Sequence, residues 1–375
     1  MIYILFSISL FVIPFLLVDF YYNFRKWYYR IHCGRWNDLQ QWKAKVGHVC
    51  EKWLASAPVV RKRDENRLIL WDMLRGNFSS NEIQSWQLAG LVIGLSEYKV
   101  EIPWKKIAYR ITNGKNVEIA LLAYSVLKNV DDPSVYKKEM DKVYHIILRI
   151  KGDEKTVPYR EEMQNIRFVD TLGFICPFLV MYGKRYGDAE AIQLAEQQFF
   201  EYDQACLPSF GFPAHAYDLE KKVPLGIYDW GRGVGWYILA LVEMHSALES
   251  TELKDKLACR ILFLANSIIE WQLPEGGFAA HFFSGGFSEG SSTVLIGILL
   301  NRAYVISKKA LYLSSLSRVM AQLMKMTQRN GCLDMCQGDT KGIGVYSTEY
   351  GYMPFAQGLL LKLINDYTLL MELGK

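Results

Sequence analysis

The sequence predicts an all-α fold, an (α/α)6 barrel of six helical hairpins preceded by an N-terminal transmembrane helix. Three observations support this prediction. Apolar residues recur with helical spacing along nearly the whole chain, short polar turns alternate with long links, and the first residues form an uncharged apolar run. We expect a membrane anchor at residues 1–22, a juxtamembrane connector at 23–40 and the barrel at 41–375.

The anchor is predicted from the run Ile2–Val18, which lacks charged residues and is followed by Asp19 and three aromatic residues. This length is at the short end of the range for a membrane-spanning helix. A cleavable signal peptide would need a basic start and a small-residue cleavage site, and neither is present. Arg25, Lys26 and Arg30 follow the run, so the positive-inside rule predicts a single-pass protein of the cell (inner) membrane with its body in the cytoplasm.

Composition narrows the class of partner. The net charge of +4 comes without a basic stripe, which argues against nucleic acid. Aromatic residues make up 14% of the chain, more than a core alone needs, and suit a cleft that stacks flat ligands such as sugars. The seven cysteines fit a reducing compartment, and with the scattered histidines they form no metal-ligand spacing. We therefore expect no metal and no cofactor, and the oligomeric state stays unknown.

Twelve windows show 3.6-residue apolar periodicity. They are residues 36–56, 64–75, 81–98, 115–130, 133–152, 168–185, 187–205, 231–249, 251–272, 290–306, 308–328 and 354–372. Short turns such as "VDDPS", "RYGD" and "LESTE" join antiparallel neighbours, so the long links all return at one end, where a cleft can form. A two-domain helical bundle is the alternative, but no linker-like run interrupts residues 40–375.

One acid lies at the start of an otherwise apolar helix, in "VDTLGFICPFL". On the helical face of Asp170 lie Gly173, Phe174, Pro177 and Phe178, so the carboxylate is next to a residue without a side chain and one without an N–H. We expect Gly173 to open space above Asp170. The alternative is a plain cap or a charge that satisfies the helix dipole.

A second group lies in "YDWGRGVGWYILALVE", where Arg232 and Trp236 share one helical face among three glycines. Each glycine costs a helix about 1 kcal/mol relative to alanine, so we expect them to let a ligand approach the backbone, with close helix packing as the alternative. His215 and Asp218 lie upstream in "PAHAYD". In "FSEGSST", Ser288 or Glu289 can cap a helix whose free N–H groups could hold an anion. Tyr350 and Tyr352 could add aromatic wall.

These segments resemble, in order and spacing, the unsaturated glycuronyl hydrolases of glycoside hydrolase families 88 and 105. The resemblance is closest in "FVDTLGFICPFLVMYGKRYGD", "HAYD", "WGRGVGWYILALVE" and "EGSSTVLIGILL", and it covers roughly residues 80–375. It implies the (α/α)6 barrel and a hydrolase that removes a Δ4,5-unsaturated uronic acid from the non-reducing end of an oligosaccharide. Asp170 is then the general acid/base. The implied substrate-binding residues are His215, Asp218, Trp230, Arg232, Trp236, Glu289, Ser292 and Thr293.

The implied chemistry is hydration of the C4=C5 enol ether, in which one carboxyl group shuttles the proton. Arg232, His215 or the helix start at Glu289–Thr293 would hold the uronate, while Trp230 and Trp236 would be sugar-facing walls. The family usually carries a further acid before the helix near residue 115, where this chain has Asn113 and Asn116, and Glu118 is a weak substitute. The alternative function is therefore a non-catalytic protein that binds acidic glycans in a surface polysaccharide assembly system.

Overall fold

The structure, a computed structural model, describes residues 2–58, 60–61, 68–76, 78–79, 83–96, 98, 100–208 and 211–373. Helices dominate this described part. They are α1 (Ile2–Arg30), α2 (Leu39–Ala55), α3 (Ile69–Leu74), α4 (Ser85–Leu95), α5 (Trp104–Asn113), α6 (Ile119–Asn129), a 3-10 turn (Pro133–Tyr136), α7 (Lys137–Lys151), α8 (Val169–Tyr186), α9 (Ala189–Cys206), α10 (Gly231–Ala247), α11 (Glu252–Ile269), α12 (Gly290–Ser307), α13 (Ala310–Met326) and α14 (Pro354–Leu373).

Six of the helices form an inner ring. α4, α6, α8, α10, α12 and α14 each pack against the next, and α14 packs against α4 to close the ring. The inner helices α8, α10 and α12 are buried on nearly all sides, whereas outer helices such as α7 and α11 bury one apolar stripe. The predicted six-hairpin arrangement of the helices is therefore seen in the packing.

The twelve predicted helical windows do not coincide with the twelve barrel helices. The window 64–75 contains only the short helix α3, and its residues 64–67 lie outside the described part. None of the predicted windows covers α5. This helix has ten residues and buries only Ile107 and Ile111, so its apolar pattern is too short to be distinguished from a polar link. The other windows each match a helix to within a few residues.

The N-terminal helix α1 is longer than the predicted anchor, because it continues past residue 22 to Arg30. Two described helices are long and apolar enough to cross a membrane, Phe6–Arg30 and Gly290–Ser307. The second is α12, which lies inside the barrel with 72% of its apolar window buried, so it is a core helix. None of the α1 window is buried, and its apolar side chains face outward.

Short β-strands lie in the links between the helices. They are β1 (Val60–Arg61), β2 (Phe78–Ser79), β3 (Ile166–Phe168), β4 (Ala216–Asp218), β5 (Val223–Leu225), β6 (Cys336–Gln337) and β7 (Tyr350–Gly351). β4 pairs antiparallel with both β3 and β5, with Phe168 opposite Ala216 and Ala216 opposite Leu225. β6 pairs with β7. The first of these sheets ties the start of α8 to the long link before α10.

A buried ionic cluster lies toward the C-terminal ends of the inner helices. Glu243 of α10 accepts hydrogen bonds from Lys128 at 2.7 Å and from the hydroxyl of Tyr124, both on α6. Lys362 of α14 lies 4.0 Å from the same carboxylate and 2.6 Å from Asp366. Burial alone would raise the pKa of Glu243, but the two lysines outweigh it and lower the pKa to about 2. This paired carboxylate bridges three helices of the ring.

Candidate active site

The carboxyl group of Asp170 lies at the opposite end of the ring, in the first turn of α8. The pairing of β3 with β4 positions it, because the backbone N–H of Val169 donates to the His215 carbonyl oxygen at 3.0 Å. Asp170 Oδ2 consequently lies 3.8 Å from His215 Nε2. The two residues that the sequence analysis chose from separate segments are thus direct neighbours.

Asp170 is poised to carry a proton near neutral pH. Burial raises its pKa to about 7, and the acids Glu118 and Asp339 add to that rise, while Arg232 opposes it. Its buried Oδ2 has no hydrogen-bond partner among the described residues. The side chain is 17% exposed, so the carboxyl group still reaches the cleft. An unpaired, partly accessible carboxylic acid of this kind can act as a general acid.

His215 faces this acid as a neutral imidazole. Burial, with the positive charge of Arg232, lowers the pKa of His215 to about 4. Its Nδ1 lies 3.2 Å from the hydroxyl oxygen of Tyr346, and its ring lies 4.5 Å from that of Trp230. The ring is therefore fixed from two sides, with Nε2 directed toward Asp170.

Arg232 shapes the site by holding a loop. Its guanidinium donates to the carbonyl oxygens of Gln337 and Gly338, the second at 2.6 Å, and lies 5.2 Å from the ring of Trp230. These carbonyls belong to the link between α13 and α14. Arg232 thus fixes one wall of the site and adds positive charge near Asp170, while direct contact with a substrate carboxylate stays a prediction.

The expectation that Trp230 and Trp236 form sugar-facing walls stays a prediction, and both indoles are buried. Trp230 is 1% exposed and donates from Nε1 to Gln337 Oε1. Trp236 is 2% exposed and packs against the rings of Trp86, Phe174 and Phe355. Both indoles therefore support the site from inside the protein.

The predicted space beside Gly173 and the α10 glycines is also filled by protein. A Cβ added at Gly173 would lie 2.6 Å from the Trp236 indole. Added at Gly231, Gly233 or Gly235, it would lie 2.3–2.5 Å from the side chains of neighbouring residues. Close packing, the alternative for the α10 glycines, is what the structure shows.

The N-terminus of α12 is capped internally. Glu289 accepts hydrogen bonds from the backbone N–H groups of Ser291, Ser292 and Gln337 and from the hydroxyls of Ser291 and Ser292. The Thr293 hydroxyl accepts from Phe278 N at 3.0 Å. The substrate-anion site at Glu289, Ser292 and Thr293 stays a prediction, because the contacts that these groups make are with the protein itself.

Asp218 is likewise used within the protein. It lies at the end of β4, where its carboxylate accepts from the backbone N–H groups of Glu220 and Lys221 and pairs with the Lys221 ammonium at 3.3 Å. This is the geometry of a turn cap. Its prediction as a substrate-binding residue is not supported by these contacts.

Several residues near Asp170 escaped the sequence analysis or received little weight. Glu118 directly precedes α6, accepts from the Tyr159 hydroxyl at 3.0 Å and pairs with Arg160. Burial raises the pKa of Asp339, which lies in the α13–α14 link near Arg232. Glu118 lies at the polar start of the window 115–130 and Asp339 in a polar link without periodicity. Only their positions, just before an inner helix and within a long link, could have marked them.

A cavity of about 420 Å³ lies away from this site. Its lining includes Arg167, Gln198, Tyr202 and Tyr217, and it contains none of Asp170, His215 and Arg232. The cavity therefore lies between α9 and the β3–β4 pair and is separate from the site around Asp170.

Comparison with known proteins agrees with this arrangement. The family model "Glycosyl Hydrolase Family 88" matches residues 95–370. A possible member of the GH105 family from Klebsiella pneumoniae has a TM-score of 0.73 at 15% identity, with 89% of this chain and 93% of that chain covered. An unsaturated glucuronyl hydrolase from Bacillus sp. GL1 has a TM-score of 0.68 at 14% identity, with 87% and 96% covered.

At such low identity the two structures show the fold alone, and a search of curated proteins by sequence gives no match. The family assignment rests on the family model, which spans most of the chain. The protein is a glycoside hydrolase that belongs to glycosyl hydrolase family 88.

Proposed function

We propose that this hydrolase removes a Δ4,5-unsaturated uronic acid from the non-reducing end of an acidic oligosaccharide, with Asp170 as the proton shuttle. The observation that carries the proposal is the carboxyl group of Asp170, which is held mostly protonated below pH 7 and has an unpartnered oxygen beside neutral His215. The unsaturated glucuronyl hydrolase among the structural neighbours supports the choice of substrate.

The reaction balances with one water and one catalytic carboxyl group. Asp170 donates its proton to C4, water adds at C5, and the Asp170 carboxylate takes a proton from that water. The resulting hemiketal opens and releases the aglycone. A conventional glycosidase would need a second carboxyl group on the other side of the anomeric carbon. The hydration route needs only the single proton-carrying acid that the site displays.

The family usually carries a further, substrate-orienting acid before the helix near residue 115, and Glu118 is the candidate for that role in this chain. Its position at the start of α6 lies within electrostatic range of Asp170. Tyr159 and Arg160 hold its carboxylate, which fixes its position. We assign Glu118 to substrate positioning by hydrogen bonds to sugar hydroxyls.

The test uses pairs of disaccharides that differ only in the C4=C5 bond. We expect the unsaturated member to lose its ultraviolet absorbance and to yield two monosaccharides by mass, while the saturated member stays intact. Cleavage of the saturated member would indicate conventional glycosidase chemistry. Saturable binding of the unsaturated member without any absorbance change would support the glycan-binding alternative and contradict the proposal.

The membrane anchor, with the barrel in the cytoplasm, also remains a proposal. Its support is the exposed apolar surface of α1 and the three basic residues that follow the apolar run.

A further inference from the structure

The C-terminal part of α1 forms hydrogen bonds and ion pairs with the α13–α14 link, which forms a wall of the active site. Arg30 pairs with Asp334 through two hydrogen bonds of 3.1 and 3.2 Å and donates to the Tyr350 carbonyl at 2.8 Å. Lys26 pairs with Glu349 at 3.3 Å. Asp334, Glu349 and Tyr350 belong to the α13–α14 link. That link also supplies the carbonyls held by Arg232 and the Tyr346 hydroxyl beside His215.

The middle of α1 contacts a second segment, the helix α3. The carboxylate of Asp19 accepts from the backbone N–H of Ile69 at 2.6 Å, and the ring of Phe15 lies 6.4 Å from that of Trp71. These contacts place α3 beside the end of the uncharged run in α1. They also argue for a helix that stays attached to the barrel, because a removed signal sequence would leave these partners unpaired.

The outer side of α3 presents apolar groups beside α1. Leu68 is 46% exposed, Trp71 is 40% exposed and Leu74 is 68% exposed. The guanidinium of Arg75 lies 5.5 Å from the Trp71 ring, so a cation borders the apolar side chains. An exposed indole with a neighbouring cation, next to the uncharged run of α1, is typical of protein at the boundary between lipid and water. We define the exposed part of α1 with Leu68, Trp71 and Leu74 as the membrane-contact surface.

We propose that this surface binds the lipid bilayer through both α1 and α3 and thereby holds the active-site end of the barrel at the membrane. The substrate class inferred from this position rests on the proposed function, and it is an unsaturated uronyl chain attached to the membrane. The bilayer is the occupant because, within the described part of the chain, α1 offers a membrane-length run of exposed apolar residues, and α3 extends that same surface.

The first experiment tests the surface without using activity. The full chain is reconstituted in phosphatidylcholine vesicles with and without brominated acyl chains, and quenching of tryptophan fluorescence is compared for wild type, Trp71→Phe and Trp104→Phe. Trp104 is a half-buried indole at the start of the outer helix α5. We expect quenching to fall in Trp71→Phe and to stay at the wild-type level in Trp104→Phe. Equal quenching in wild type and Trp71→Phe would overturn the proposal.

The second experiment tests the substrate class. The same vesicles receive an unsaturated uronyl disaccharide, either free or coupled to a phospholipid. Local enrichment at the surface should raise the wild-type kcat/KM for the coupled form by on the order of tenfold. Leu74→Glu should lose that preference and keep the free-substrate rate, while Leu369→Glu, at another exposed leucine, should change neither.

The outcomes separate the two claims. No hydrolysis of the free disaccharide by wild type would refute the proposed function and the substrate class with it, whereas the quenching result would still decide the membrane surface. Hydrolysis of both forms at equal kcat/KM would refute the membrane-attached substrate alone.

Discussion

Asp170 and Glu243 are acids on adjacent inner helices, and their side chains are 17% and 1% exposed. Glu243 lies toward the C-terminal end of its helix, between Lys128, Lys362 and Tyr124, and its pKa falls to about 2. Asp170 lies at the N-terminal end of its helix beside a neutral histidine, and its pKa rises to about 7. Burial raises the pKa of both carboxyl groups, so the difference comes from their partners.

This difference separates a structural acid from a reactive one. A buried carboxylate with bonded cations stabilises the packing of the helices that carry them, and its proton is absent at any working pH. A buried carboxyl group without a bonded cation keeps its proton and can transfer it. Arg232, the cation that lowers the pKa of Asp170, instead donates to backbone carbonyls. The predictions below test this contrast, beginning with the largest expected effect.

Asp170→Asn should lower kcat/KM on an unsaturated disaccharide by about 10²–10⁴, equivalent to ~3–5 kcal/mol of barrier. The amide keeps the shape of the side chain but carries no transferable proton. The measurement is initial rate by loss of ultraviolet absorbance. Asp218→Asn is the matched control, because that acid caps a turn, and it should stay within a few-fold of wild type. A similar rate for Asp170→Asn and wild type would assign the proton transfer to another group.

Glu243→Gln should lower the free energy of unfolding by about 3–5 kcal/mol, because it leaves partly buried Lys128 without its carboxylate and Lys362 with Asp366 alone. Chemical denaturation at neutral pH gives the value. Its lowered pKa means that the Glu243 contribution is present above pH 4.5 and is lost as the pH falls through 2.

The control for this prediction is Glu249→Gln. Glu249 is 84% exposed and pairs with Lys184 at 3.3 Å, so its loss should cost less than about 1 kcal/mol. An equal, small effect of both substitutions would show that the buried cluster does not stabilise the ring.

Asp170→Asn should also make the folded protein more stable than wild type at alkaline pH. In wild type the pKa of Asp170 rises from 3.8 in the unfolded chain to about 7 in the folded one, so its cost to folding grows from pH 3.8 upward and is complete above pH 7. We expect a gain of about 2–4 kcal/mol at pH 8 that shrinks as the pH falls through 7 and vanishes below 3.8. Denaturation series at several pH values measure it, and a gain independent of pH would contradict the assigned pKa.

Gly173→Ala should cost about 1–3 kcal/mol of stability, because the new methyl group meets the Trp236 indole and backbone. The KM of the folded enzyme should stay near the wild-type value, since the position faces protein and not substrate. Gly351→Ala is the control, because an added Cβ there meets no atom within 4 Å. A large rise in KM without loss of stability would restore the earlier interpretation of Gly173 as substrate space.

Periodicity and turn spacing were enough to predict the ring of hairpins, since burial imposes a 3.6-residue pattern on almost every barrel helix. They were not enough for α5, whose two buried isoleucines leave too little pattern. The chemistry of Asp170, an acid in an apolar helix start, was also visible in the sequence. Its closeness to His215 depends on the pairing of β3 with β4, two strands of three residues that no window of that length can reveal.

The remaining differences between expectation and structure share a physical cause. A tryptophan or a glycine next to an arginine has the same sequence signature whether it faces a ligand or another helix, and here Trp236, Gly231 and Gly235 face helices. Helix N-termini likewise attract anions from within the protein, as Glu289 shows. Tyr346 and Asp339 lie in an irregular link, so only the folded chain brings them to the site.

The most direct test is an infrared difference titration of wild type against Asp170→Asn, which isolates the carboxyl band of this one residue. We predict that the protonated band persists up to a midpoint near pH 7. A carboxylate band that is already complete near pH 4 to 5, as for an ordinary aspartate, would contradict the account of Asp170 as a protonated acid at the working pH.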